Sequence, residues 1–172
     1  MNWVDQLKNS MPDNVNDAKL DLDVIENSQF QLVEAEAMAL AAAFATGNTK
    51  FWKWLDSQIE NRQEARAAIT AASLIVTDNV YWPFLNMSAD QTLINSLPLH
   101  EKISKSARLT HGGTTQARFE LYNLAASAVT KCHYCITRWY SSLKDQGYTV
   151  EQLNDLARIA AVIATVSRIW DN

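Results

Sequence analysis

The sequence predicts an all-α protein, and three observations carry that prediction. Gly and Pro are scarce, four and three in 172 residues, which leaves room for long uninterrupted helices. Where Gly, Pro and capping residues do occur, they separate stretches whose apolar residues recur at helical spacing. No run alternates apolar and polar residues over the length of a strand. Apolar residues make up 48% of the chain, so a packed core is expected, and the length suits one domain over 1–172.

The elements follow in order. Residues 29–46 read as a helix that Gly47 ends. Asn48 can cap the next, which runs through Trp52, Trp54 and Leu55 to about Glu60. A third covers about 62–82 and is expected to stop at Pro83. Ser88 with Gln91 three residues on is a capping-box pattern for a short helix, closed before Pro98. Leu97 to Gly113 is the most irregular stretch and carries two of the three histidines, His100 and His111. A helix from about Thr115 to Thr130 comes next, then one from about Cys132 to Gln146 that Gly147 terminates. Thr149 with Gln152 is a second capping box and opens the last helix, 149–170.

That last helix carries two apolar stripes. Leu153, Leu156, Ala157, Ala160, Ile163 and Ala164 form one, and Ile159, Val162, Val166 and Ile169 form another on a neighbouring face. One stripe suffices for a surface helix, so two imply burial on most sides, in the core or at a subunit interface. The six tryptophans, Trp52, Trp54 and Trp82 among them, read as core and interface packing.

A net charge of −4 argues against a general nucleic-acid surface, which needs clustered Lys and Arg. The N-terminal residues show no basic start followed by an apolar stretch, so no signal peptide is read. The apolar run Ala37 to Ala45 is well short of the ~20 residues a membrane span requires. A cytoplasmic protein is expected, and in that reducing compartment two cysteines are not expected to be a permanent staple.

The chain also repeats itself. Glu36-Ala-Met-Ala-Leu-Ala-Ala-Ala-Phe-Ala-Thr46 aligns with Glu120-Leu-Tyr-Asn-Leu-Ala-Ala-Ser-Ala-Val-Thr130 at a constant offset, and a second helix follows each copy. Where the second copy has Cys132 and Cys135, the first has Asn48 and Phe51. The expectation is a scaffold repeat over about 29–82 and a chemistry-bearing repeat over about 115–170.

Lys131-Cys132-His133-Tyr134-Cys135 is the chemical centre of the sequence. Cysteines three apart on a helix lie on nearly the same face, close enough to exchange between dithiol and disulfide. A helix N-terminus offers unpaired N–H groups and partial positive charge, which stabilise a thiolate. Lys131, His133 and Arg138 add positive character, and by position alone Cys132 has the lower pKa. Two other readings of the pair stand beside redox chemistry. Zinc needs four ligands, or three plus water; a lone CxxC gives two, and His111 and His133 stand at no paired spacing to complete them. The other is a chance spacing of two buried cysteines. No metal or cofactor is assigned.

The segment Phe119-Glu120-Leu121, then Cys132-x-x-Cys135, then Tyr148-Thr-Val-Glu-Gln-Leu resembles the active-site half of AhpD-like alkyl hydroperoxidases, in the carboxymuconolactone decarboxylase-like superfamily. That pattern is a Glu, a CxxC beginning twelve residues later, and a His four residues after the second Cys; Glu120 and Cys132 fit its register. Met11 to Leu22 resembles the family's N-terminal arm, so the likeness covers most of the chain. The resemblance implies an all-helical homotrimer or a multiple of one. It implies reduction of organic or hydrogen peroxides, with electrons drawn from a disulfide-exchange partner, either a peroxiredoxin or a lipoylated protein. It maps the attacking thiol to Cys135, the partner-facing thiol to Cys132 and the carboxylate of a proton relay to Glu120. This reverses the order that helix-dipole proximity suggests; a nearby base can outweigh a half-turn's difference in dipole.

One position departs. Four residues after Cys135, where the family places its relay histidine, stands Trp139. Residues i and i+4 share a helix face, and indole is a donor that cannot accept the thiol proton. Tyr134 is an auxiliary candidate beside the pair, and His133 points nearly opposite to Cys135 and reads as a surface residue. The relay is expected to be impaired, unless Glu120, Tyr134 or His111 supplies the proton path. A non-catalytic or redox-sensing helical oligomer, keeping the CxxC as a docking element, is the alternative; lactone decarboxylation is a third and weaker one.

Overall fold

In a computed structural model, the structure describes residues 2–88 and 105–170. Among the described residues every regular element is helical. The expected capping box at Ser88 and Gln91 and the histidine His100 lie outside them.

Three short helices come first: α1 (Asn2–Ser10), α2 (Asn16–Asp21) and α3 (Asp23–Asn27). They fold onto the body through Trp3, Val4, Leu7, Met11, Leu22 and Ile25, all buried. The Trp3 indole N–H donates to Glu36 at 3.1 Å, and Lys8 pairs with Asp23.

Helix α4 (Leu32–Ala45) begins three residues later than the sequence suggests, because Gln31 and Glu34 form a reciprocal capping box. It is the helix buried on most sides: Ala35, Ala37 and every residue from Met38 to Ala43 have no exposed surface. Its small side chains let neighbouring helices approach closely, and Met38 and Leu40 fill the space between them. Asn48 does cap α5 (Thr49–Gln58), its Oδ1 accepting from the Phe51 N–H at 3.1 Å. Phe51, Trp54 and Trp170 then cluster with ring centroids 5.5 to 6.2 Å apart.

Helix α6 (Arg62–Ser88) runs through Pro83 instead of stopping there. Proline lacks an N–H and crowds the carbonyl four residues back, normally costing about 3 kcal/mol inside a helix. The burial of Leu85, two residues on, offsets part of that cost. The stretch expected to be irregular also contains structure: α7 (Lys105–Thr110) and a 3-10 turn at His111–Gly113. Helices α8 (Gln116–Thr130), α9 (His133–Asp145) and α10 (Val150–Ile169) complete the chain, with Thr115 and Thr149 as side-chain caps and Gly147 left-handed at φ 94°.

The core lies where α4, α6 and α8 pack on one another, with α10 against α4 and α8, and α9 against α8. The double stripe on α10 does not bury it on most sides of this chain. Leu153, Leu156, Ile159, Ala160, Ile163 and Val166 are buried, while Ala157 and Ala161 are exposed. The stripe is wide because neighbours meet it from two directions, yet Ala157 and Ala161 face outward.

A polar cluster ties the two halves of the chain together at depth. Glu64 accepts from the Tyr122 hydroxyl at 2.6 Å, from Thr114 at 2.8 Å and from Arg118 Nη1 at 3.0 Å. Arg118 also reaches Glu34 at 3.1 Å and Gln31 at 3.0 Å. Burial, then the hydrogen bond to Glu64, pushes the Tyr122 phenol far above its ordinary range. Burial opposes the charge on Arg118, but the hydrogen bonds and charges of Glu34 and Glu64 outweigh it and raise its pKa.

Candidate active site

The turn into α9 is built around sulfur. Lys131 adopts the left-handed region at φ 56°, where the first repeat has Gly47 at φ 80°. Cys132 is therefore not the first helical residue but the N-cap, with its N–H donating to the Ser127 carbonyl at 3.2 Å. Its Sγ accepts from the Cys135 N–H at 3.3 Å, a task usually given to Ser, Thr, Asp or Asn. The two cysteines are joined as a disulfide, with Cα atoms 5.2 Å apart. Cys132 is 8% exposed and Cys135 3%, so the bond is all but covered and the first cysteine is the more accessible. When reduced, a Cys132 sulfur that accepts an N–H at a helix start is favoured as thiolate.

Around the pair, the side chains divide sharply. His133 is exposed at the first position of α9. Tyr134 is 61% exposed and its ring sits 6.1 Å from that of Trp82. Neither is directed into the site. Trp139 is half-buried, with the Arg138 guanidinium 4.7 Å from its ring centroid.

Glu120 is 5% exposed and firmly held. Gln116 donates to one oxygen at 2.9 Å; Ser142 and Gln146 donate to the other, each at 2.6 Å. Ser142 and Gln146 continue the helix face that begins at Cys135 and Trp139. They lie about 10 and 16 Å along the α9 axis from Cys135, against about 6 Å for Trp139. Sequence reasoning missed these three donors, although the spacing 135, 139, 142, 146 is a helical stripe that could have revealed two of them.

The structure gathers Glu120, Trp139 and His111 around one cavity of about 180 Å³. Asn123, also unanticipated, lines it too; the residue is wholly buried, and among the described residues its Oδ1 has no hydrogen-bond partner. Among the described residues no three His, Cys, Asp or Glu side chains are arranged to hold a metal ion, and no helix is long and apolar enough to cross a membrane.

Comparison with known proteins places this geometry. The model of the carboxymuconolactone decarboxylase family matches residues 102–171, the span that holds α7 to α10 and both cysteines. The alkyl hydroperoxide reductase AhpD of Maricaulis maris is 31% identical over 170 residues, covering 96% of each chain. This chain belongs to the AhpD-like proteins of the carboxymuconolactone decarboxylase superfamily. Proteins of the same name from Bradyrhizobium sp. and Coxiella burnetii are 29% and 27% identical, over 95% and 94% of this chain and 91% and 93% of their own. The AhpD-like match runs through the N-terminal arm and both repeats, so the likeness is one of whole chains and not of a shared motif.

Proposed function

We propose that this AhpD-like protein is a thiol-dependent hydroperoxidase and dithiol–disulfide oxidoreductase. The observation that carries the reading is the covered Cys132–Cys135 disulfide at the start of α9, in a chain of this family. The Cys135 thiolate attacks an oxygen of an organic or hydrogen peroxide; an S–O bond forms, the O–O bond breaks, and alcohol or water leaves with a proton. Cys132 then displaces the sulfenic oxygen as water and closes the disulfide. A dithiol partner, either a peroxiredoxin or a lipoylated protein, reduces it by exchange at Cys132, the more exposed sulfur.

Glu120 belongs to the proton machinery in this reading, and the indole of Trp139 stands where a relay histidine would otherwise act. The working protein is a cytoplasmic homo-oligomer, a trimer or a multiple of one. Val76, Val80, Phe84 and Met87 support an oligomer: they form one exposed apolar edge along α6, which a neighbouring copy would cover.

Stopped-flow mixing of the reduced protein with a simple alkyl hydroperoxide tests the reading. Loss of two thiols per chain, with an intramolecular disulfide as product, is expected. Thiols that persist under excess peroxide, while still oxidised by a dithiol-exchange reagent, favour the redox-sensing scaffold, a reading that the Trp139 substitution and the fully engaged Glu120 make specific.

A further inference from the structure

A groove runs over the outward face of α10 and shares no residue with the cavity at Glu120. Its main part, a cavity of about 500 Å³, has an alanine floor: Ala128 from α8, with Ala157, Ala161 and Ala164 along α10. A second cavity of about 260 Å³ shares Ala128 and Ala157 with it and continues the groove to Ile136, Tyr140 and Val150. The combined space is in the range of sites that take a bound group.

Charge marks the groove as well. Lys131 and Arg168 both line the larger cavity and both are exposed. No Asp or Glu lines either cavity, although the chain as a whole carries a net charge of −4. Among the described residues neither cation is held in an ion pair. A helix end favours a cation, which accounts for a Lys after α8 and an Arg in the last turn of α10. It does not account for both opening on one groove that lacks carboxylates. A second copy is a poor match for this charge. The apolar edge of α6 offers Val76, Val80, Phe84 and Met87, and the one acid within that stretch, Asp78, is buried.

The backbone of Cys132 is tied to both cavities. Lys131, its neighbour in the chain, lines the larger one. Ile136, whose N–H donates to the Cys132 carbonyl at 2.9 Å, lines the smaller. Adjacent Cα atoms lie about 3.8 Å apart, and residues four apart share a helix face. A chain lying in the groove therefore passes the turn that carries the more exposed sulfur of the pair.

We propose that this groove is the docking surface of the reducing partner, a protein whose dithiol is flanked by carboxylates and by small apolar side chains. The carboxylates meet Lys131 and Arg168 and steer the encounter; the apolar residues lie on the alanine floor. One partner thiolate then attacks Cys132 Sγ. The new S–S bond forms as the Cys132–Cys135 bond breaks, and Cys135 leaves with the electron pair. The partner's second thiolate displaces Cys132, so the partner departs as a disulfide. Its two electrons and the two protons of its thiols stay on Cys132 and Cys135.

The inference rests on the dithiol–disulfide reading of the pair, and its test needs no peroxide. The disulfide is formed with diamide, and its reduction by two synthetic dithiol peptides is followed by acid quenching and mass spectrometry. The peptides share one CxxC core, flanked by aspartates in the first and by lysines in the second. The rate ratio of the Asp to the Lys peptide is expected to be about tenfold higher in wild type than in Lys131→Asn with Arg168→Gln, and to fall as salt is added. Asparagine is chosen at 131 because it tolerates the left-handed backbone there. Lys144→Gln, on α9 outside the groove, is expected to leave the ratio unchanged. Ala161→Trp, which fills the floor, is expected to slow both peptides while dithiothreitol still reduces the pair at the wild-type rate. A ratio that is the same in wild type and the double variant overturns the proposal, as does an Ala161→Trp protein that both peptides reduce at full speed. So does sedimentation in which Ala161→Trp breaks the oligomer apart, since the groove then holds a second copy. Should the double variant fail to fold, Ala161→Trp and the salt dependence decide. The charge preference in a protein inert to peroxide keeps the docking surface and removes the peroxidase.

Discussion

At Asn48 and at Cys132 the chain turns into a helix with nearly the same backbone angles, φ −75° and ψ 94° in the first repeat, φ −75° and ψ 93° in the second. In both places a left-handed residue precedes the turn by one, and the cap side chain accepts the N–H three residues on. The corresponding positions beyond the cap then diverge. Phe51 is sealed in an aromatic cluster with Trp54 and Trp170, and Cys135 is bonded to Cys132. Glu36 is occupied by the Trp3 indole from the N-terminal arm, whereas Glu120 is turned toward α9 and the cavity. The difference teaches that the fold asks for an acceptor at the cap and little more. Oxygen and sulfur both meet that demand, so the second repeat carries a disulfide on a position whose structural duty is already met.

Converting the second repeat into the first gives the sharpest test. Cys132→Asn with Cys135→Phe is expected to abolish thiol oxidation altogether, a loss beyond about 10³-fold, as nucleophile and partner both vanish. Cys132→Asn alone is expected to melt no lower than the reduced wild type, because Asn is among the best caps. A clearly lower melting temperature by calorimetry means that sulfur does something at this turn that Asn48 does not.

Next in size is the joint between the repeats. Glu64→Ala strips Arg118 of one carboxylate and leaves the Tyr122 hydroxyl buried without its acceptor. Loss of a partner from such a buried pair is expected to cost about 3 kcal/mol in denaturant unfolding. Unfolding left unchanged by Glu64→Ala would show that the repeats hold together by other means.

The smallest effect expected is at the scaffold cap. Asn48→Ala removes the bond to the Phe51 N–H and the 2.7 Å bond from Nδ2 to the Ser167 carbonyl, for about 1 kcal/mol of stability and no change in thiol chemistry. An altered rate of disulfide formation would break the division of labour between the two halves.

Much of this was legible in the sequence, for identifiable reasons. Helix identity followed from local signals: Asn48, Thr115, Thr149 and Gly147 all act where their chemistry places them. The register Glu120 to Cys132 and the CxxC spacing are local too. What stayed hidden depends on contacts distant in sequence. Pro83 reads as a stop because the sequence does not show the packing that carries α6 past it. Gln31 escaped notice because glutamine is an uncommon cap. His111 stood in the sequence only as one of three alternative proton paths, since nothing nearby in sequence says that Gly112 lies against Ala67 and that the ring lines one cavity with Glu120 and Asn123.

The sulfur cap carries a meaning of its own for whatever docks on this protein. Asparagine is the same acceptor at all times, but the strength of a sulfur acceptor changes with its bonding. A thiolate draws the Cys135 amide strongly, and a disulfide sulfur holds it weakly. The oxidation state of the pair thereby decides what holds the first turn of α9, beside the exposed His133 and Tyr134: the S–S bond when oxidised, and the charge-assisted hydrogen bond to sulfur when reduced.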